Sequence, residues 1–152
     1  MDKNKLLNVA EVEVWYKAKY PPKECPQVRS SGDSFNVFRH VWDDKTLDYT
    51  EDFWVLYLNR ANRVTGAALV SKGGVSGTVV DAKVIFTGAL KMNASSIILG
   101  HNHPSANLAP SQADLNLTRR LKKGGEMLDI SVLDHLIITR QAYYSFADEG
   151  IL

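Results

Sequence analysis

The chain has 152 residues, 45% hydrophobic and 23% charged, with a formal net charge of +1. That is the size and make-up of one globular domain able to bury a core without staples, and it lacks the strongly basic footprint of a nucleic-acid-binding domain. The single cysteine, Cys25, excludes an intramolecular disulfide and any cysteine-based zinc cluster, which fits a reducing, cytoplasmic compartment; no run approaches the roughly 18 apolar residues of a membrane span, and no targeting segment is expected at the polar start.

In chain order, Val12, Val14 and Tyr16 alternate with Glu11, Glu13 and Trp15, the pattern of a half-buried strand, which Tyr20-Pro21-Pro22 ends. Residues 1–29 thus read as a strand and loop extension of a single domain spanning 1–152. Cys25 falls in the loop beside Pro26, with no motif around it, and reads as an inert thiol. Ser30-Ser31-Gly32-Asp33 offers helix caps ahead of Phe35, Phe38 and Val41 or Trp42, one apolar face, with His40 as a surface or packing residue.

The run 53–58 (Phe-Trp-Val-Leu-Tyr-Leu) reads as a strand buried on both faces, and the short turn after Asn59 returns 64–71 antiparallel to it. Residues 72–78 read as a flexible loop, without the glycine order of a phosphate cradle. Asp81 caps a helix carrying Val84, Ile85, Ala89 and Met92 that ends near Asn93. The apolar run 95–99 is a short buried strand leading into Gly100-His101-Asn102-His103-Pro104. A helix is expected over 111–123, stopped by Gly124-Gly125, and Ile130, Val132 and the run 136–138 supply the last strands. Tyr143-Tyr144-Ser145-Phe146 closes the domain. The alternation of strands and helices predicts an α/β (α+β) fold.

If the extended backbone continues through the histidines, His101 and His103 stand at i and i+2 and leave the same face. Two neutral imidazoles converging on one point suit zinc, and a catalytic zinc takes three protein ligands with one open position. Asp114, in the first turn of the following helix, completes a candidate set of His101, His103 and Asp114, with Ser111 one turn upstream. Ser111-x-x-Asp114 is also a helix-capping pattern, and taken alone reads as one. The full constrained spacing, His-x-His, seven residues and then Ser-x-x-Asp, is more than capping explains.

This pattern resembles the JAMM (MPN+/JAB) metalloprotease signature. The wider wording, His-Asn-His-Pro-Ser, then Pro-Ser-x-x-Asp, then Asp134-His135-Leu136-Ile137, is similar to the RadC-like branch of that family from about residue 30 onward. The resemblance implies a single JAMM-like domain with a mixed central sheet flanked by helices on both sides. It also implies a zinc-dependent metallopeptidase or isopeptidase-type hydrolase acting on a peptide, isopeptide or amide conjugate. His101, His103 and Asp114 would bind Zn2+, Ser111 would help hold the oxyanion, and an upstream glutamate would be the general base. Glu51, just ahead of the 53–58 strand, matches the glutamate before Phe-x-Val-Leu in RadC-like sequences and is taken as that base ahead of Asp52 and Asp48; without the resemblance it reads as a solvated acid at a strand start. Ala106 stands where RadC-like loops carry glycine, and alanine tolerates positive φ poorly.

Asp134-His135, an acid–base pair near the last strands, reads as support behind the ligands or as a satisfied buried pair, with His135 structural; as a fourth protein ligand His135 would close the site to water and argue against catalysis. Competing metal-hydrolase motifs fail on residues: there is no His-Glu-x-x-His, no Pro-Cys-x-x-Cys and no Gly-x-Ser-x-Gly. Two alternatives follow from the resemblance: a DNA-repair-associated accessory protein binding nucleic acid, and a catalytically silent metal-stabilised interaction module. The cluster Arg119-Arg120-x-Lys122-Lys123 would serve the first, but reads more simply as a solvated helix face. RadC-like chains often carry an N-terminal helix-hairpin-helix region, and none is expected within residues 1–29.

Overall fold

Ser30 accepts a hydrogen bond from the Asp33 amide (3.2 Å) and starts α1, Ser31–Val41, as its capping residues predict. The computed structural model describes residues 8–74 and 79–152. Within these, α1 is followed by the hairpin β1, Asp52–Leu58, and β2, Val64–Lys72, then α2, Ala82–Lys91, and β3, Ser96–Asn102. The chain ends with α3, Gln112–Met127, β4, Ser131–Ile138, and β5, Tyr143–Ser145. The sheet order is β2-β1-β3-β4-β5. Every neighbouring pair is antiparallel except β3 and β4, which α3 joins as a parallel crossover.

Side-chain alternation divides the interior into two cores. Phe53, Val55, Tyr57, Ile97 and Leu99 point toward α2 and α3, meeting Ile85, Phe86, Ala89 and Leu121. Leu56, Leu58, Ile98 and Leu136 point the other way, onto Phe38 and Trp42. Burial of these side chains, each worth about 1.5–3 kcal/mol, holds the helices on both faces of the mixed sheet. Gly100 belongs to the α1 side: a Cβ there would stand 2.6 Å from Phe38 Cζ, so glycine lets the phenyl ring lie directly on β3. The layered α/β architecture is the one expected.

Three local expectations differ from the structure. Residues 8–19 form no strand, and Val12, Val14 and Trp15 are exposed, because alternation alone supplies no ladder partner for the backbone. The helix α3 does not stop at Gly124-Gly125 but runs on to Met127. Those glycines serve close approach: a Cβ on Gly125 would lie 2.2 Å from the Ile130 carbonyl oxygen, and one on Gly124 3.0 Å from Phe86. Val84 is exposed, while Phe86 takes its place on the buried face of α2. Of the loop expected at 72–78, residues 75–78 lie outside the described residues.

Candidate metal centre

β3 stays extended to Asn102, so His101 and His103 do leave one face, the face of α2 and α3. Beyond them Pro104 and a turn return the chain to α3, whose first residues close over the histidines. Ala106 takes φ +62° in that turn, the left-handed conformation in which glycine is at ease. At the start of α3, Ser111 Oγ accepts from the Asp114 amide (3.1 Å) and Asp114 Oδ2 accepts from the Ser111 amide (2.7 Å). The capping pattern is therefore present, and it aims the carboxylate: Asp114 Oδ1 lies 3.3 Å from His101 Nε2 and Oδ2 lies 3.5 Å from His103 Nε2.

His101 Nε2 and His103 Nε2 are 2.9 Å apart, and one donor atom from each of His101, His103 and Asp114 lies within 4.8 Å of the others. Two donors each about 2.0–2.1 Å from a tetrahedral zinc stand about 3.3 Å apart, so these separations fit a metal ion at their centre. The chemistry of the donors fits as well. His103 Nδ1 is 2.6 Å from the Asn107 carbonyl, which can only accept, so the ring proton sits on Nδ1 and the Nε2 lone pair faces the point of convergence. Burial pushes Asp114 up, yet the neighbouring His101 and His103 rings outweigh it and hold its carboxyl well below the usual carboxylate range. The bond to Asp114 raises His103 in turn. A carboxylate kept charged beside two imidazoles is a cluster that a cation completes.

Glu51, Phe53, Ser111 and Leu117 line the same cavity as the three donors, a space of about 510 Å³. Burial raises the Glu51 carboxyl above its ordinary value, against the pull of His101 and His103. The other two acids go elsewhere. Asp48 pairs on the surface with Arg140 (2.6 Å), and Asp52 is buried one residue out of phase with Glu51 and Phe53, on the opposite side of β1. Ser111 is exposed at the cavity rim, and among the described residues no acceptor takes its hydroxyl proton. Arg119, Arg120, Lys122 and Lys123 are exposed along α3, where Arg119 bonds Asn116.

Three further residues support this arrangement. Asn102, between the histidines and on the far face of β3, donates from Nδ2 to the Leu47 and Thr50 carbonyls (2.7 Å each) and accepts the Asp52 amide on Oδ1 (2.7 Å). It thereby clamps the backbone on both sides of Glu51, which is also bridged to Gly73 and Gly74. His135, fully buried, lies 2.7 Å from His101 Nδ1 through Nε2 and 2.6 Å from Thr118 Oγ1 through Nδ1. Both of its nitrogens are engaged away from the convergence point, so it does not fill a fourth ligand position. The sequence motif does not include Asn102, and it places Thr118 only on the helical face shared with Leu115 and Leu121. The alternation around β3 carries a signal for Asn102, whose polar side chain falls on a buried face, whereas helical spacing puts Thr118 on the inner face of α3 without linking it to the histidines.

The RadC-like JAB domain family model matches residues 28–151. A UPF0758 protein of Flavobacterium johnsoniae is 48% identical over 125 residues, 82% of this chain and 53% of that protein. One from Porphyromonas gingivalis is 41% identical over 135 residues, 88% and 60% of the two chains. UPF0758 protein YfjY of Escherichia coli is 42% identical over 102 residues, 67% and 64%. The chain spans 53% to 64% of the length of these curated relatives. With its matched region running through the histidines, the helix start and the last strand, the chain belongs to the RadC-like JAB domain family.

Proposed function

We propose that this domain is a zinc-dependent hydrolase of peptide, isopeptide or amide bonds, working in the cytoplasm, which its one cysteine suits. The observation that carries the reading is the convergence of His101, His103 and Asp114 beside Glu51 and Ser111 in one cavity. His101, His103 and Asp114 would hold the ion, and three ligands leave a position for water or substrate. Zinc supplies Lewis acidity when bound, lowering the pKa of a water toward neutrality and polarising the scissile carbonyl.

The remaining work belongs to the protein. Glu51 takes the proton of the attacking water and returns it to the leaving amine nitrogen. Its burial, which favours the protonated form, suits a group that must hold a proton between those steps. The Ser111 hydroxyl donates to the oxygen that gains charge as the carbonyl becomes tetrahedral. Phe53 and Leu117 give the cavity an apolar wall beside the reacting groups.

The test is the zinc-loaded Glu51→Gln variant on a panel of peptide, isopeptide and small amide conjugates. The expected outcome is turnover reduced by about 100-fold or more, the lower range for a positioned acid–base group, with zinc content unchanged. Turnover equal to wild type would remove Glu51 from the reaction. No turnover by the wild type on any conjugate would favour a silent metal-stabilised module.

A further inference from the structure

Thr118 follows Asp114 by one turn of α3 and is buried, with its hydroxyl 2.7 Å from the Asp114 carbonyl oxygen. A hydroxyl has one proton and a carbonyl oxygen can only accept, so that proton is committed to Asp114. The same Oγ1 stands 2.6 Å from His135 Nδ1. Nδ1 must therefore be the donor in that bond. The His135 ring is stacked on Phe146 at 4.6 Å and set edge-on to Phe53 at 5.6 Å, and among the described residues no carboxylate is bonded to it. A second ring proton there would bury an unpaired charge. His135 Nε2 is thus left as an acceptor, and the group it faces at 2.7 Å, His101 Nδ1, must carry a proton. A neutral imidazole has one such proton, so His101 presents a bare Nε2 toward His103 and Asp114.

We propose that Thr118 and His135 form a positioning relay that fixes the tautomer of His101 and, through it, the domain's affinity for a divalent metal. The inference rests on His101, His103 and Asp114 being the ligands. Thr118 reaches the site only through other residues: its hydroxyl touches no ligand side chain, yet it decides the direction of every hydrogen bond between itself and His101. It also ties α3, the helix that carries Asp114, to β4, the strand beside the one that carries His101. Hydrogen bonds behind metal-bound histidines generally act this way, fixing tautomer and ring orientation.

Two measurements test the relay. In metal-free wild-type protein, long-range 15N–1H NMR of the histidine rings reads the tautomer directly: His101 is expected with its proton on Nδ1, and a proton on Nε2 overturns the proposal without any mutation. In the second, zinc affinity is measured by chelator competition for wild type, Thr118→Val, which keeps the shape but removes the hydroxyl, and Thr118→Ser, which restores it. Thr118→Val is expected to bind zinc about 10- to 100-fold more weakly, with Thr118→Ser close to wild type. Equal affinity in all three proteins overturns the relay. A wild type that binds no zinc defeats the ligand assignment instead, and the NMR result still decides the tautomer.

Discussion

Ala106 holds φ +62° in the turn between the two halves of the site, a conformation that costs an L-residue with a Cβ roughly 1–2 kcal/mol. The site keeps that turn because His103 and Asn107 are bonded across it, and Ala106 itself donates to the His103 carbonyl (2.9 Å). Ala106→Gly is expected to raise stability by about 0.5–1 kcal/mol, after subtracting glycine's greater entropy loss on folding. A urea midpoint that does not rise would show that the turn carries no such cost. Ser111 and Asp114 show how two readings of a residue pair coexist: the caps that satisfy the first amides of α3 also hold the carboxylate in the direction of the histidines.

At the scale of elements, much of the site was legible because a strand and a helix start each impose one direction. The apolar run before His101 predicts extension, extension puts both histidines on one face, and the helix start that follows puts Asp114 over them. β4 was less legible. Its register shifts between Ile97 and Ile98, so Val132 opposes Ile97 while Asp134 opposes Ile98 and His135 opposes Leu99. Strict alternation from Ile130 and Val132 would turn His135 away from the site; the bulge turns it in. Nothing in the order of side chains announces that extra residue. The glycines of α3 were misread for a related reason, since composition does not distinguish a helix stop from a close backbone approach. Gly125→Ala places a methyl against the Ile130 carbonyl and is expected to cost about 1–3 kcal/mol, as overpacked interiors do. An unchanged melting temperature would mean that the α3–β4 connection moves aside freely.

For the whole molecule, the pair His103 and Asp114 links stability, protons and metal. In the metal-free chain the folded pKa of His103 is raised, so its contribution is complete below the unfolded value of about 6.5 and is lost as pH rises through the folded value. Asp114 is lowered, so its contribution is complete above about 3.9 and lost as pH falls through its folded value. The pair therefore supports the metal-free fold best in mildly acidic solution. Zinc takes His103 only without its proton. The stabilisation zinc adds is expected to be small near pH 5.5 and to grow toward pH 8, reaching about 2.7 kcal/mol when free zinc is 100-fold above its dissociation constant. Thermal melts with and without zinc across that range check it, and a zinc effect independent of pH would count against His103 as a ligand.

The most direct measurement is the metal content of the purified chain and of its His103→Ala variant. The account predicts one zinc per chain in the wild type and little or none in the variant, with the variant still folded. A wild type that takes up no zinc, or a variant that keeps it in full, would contradict the assignment of His101, His103 and Asp114.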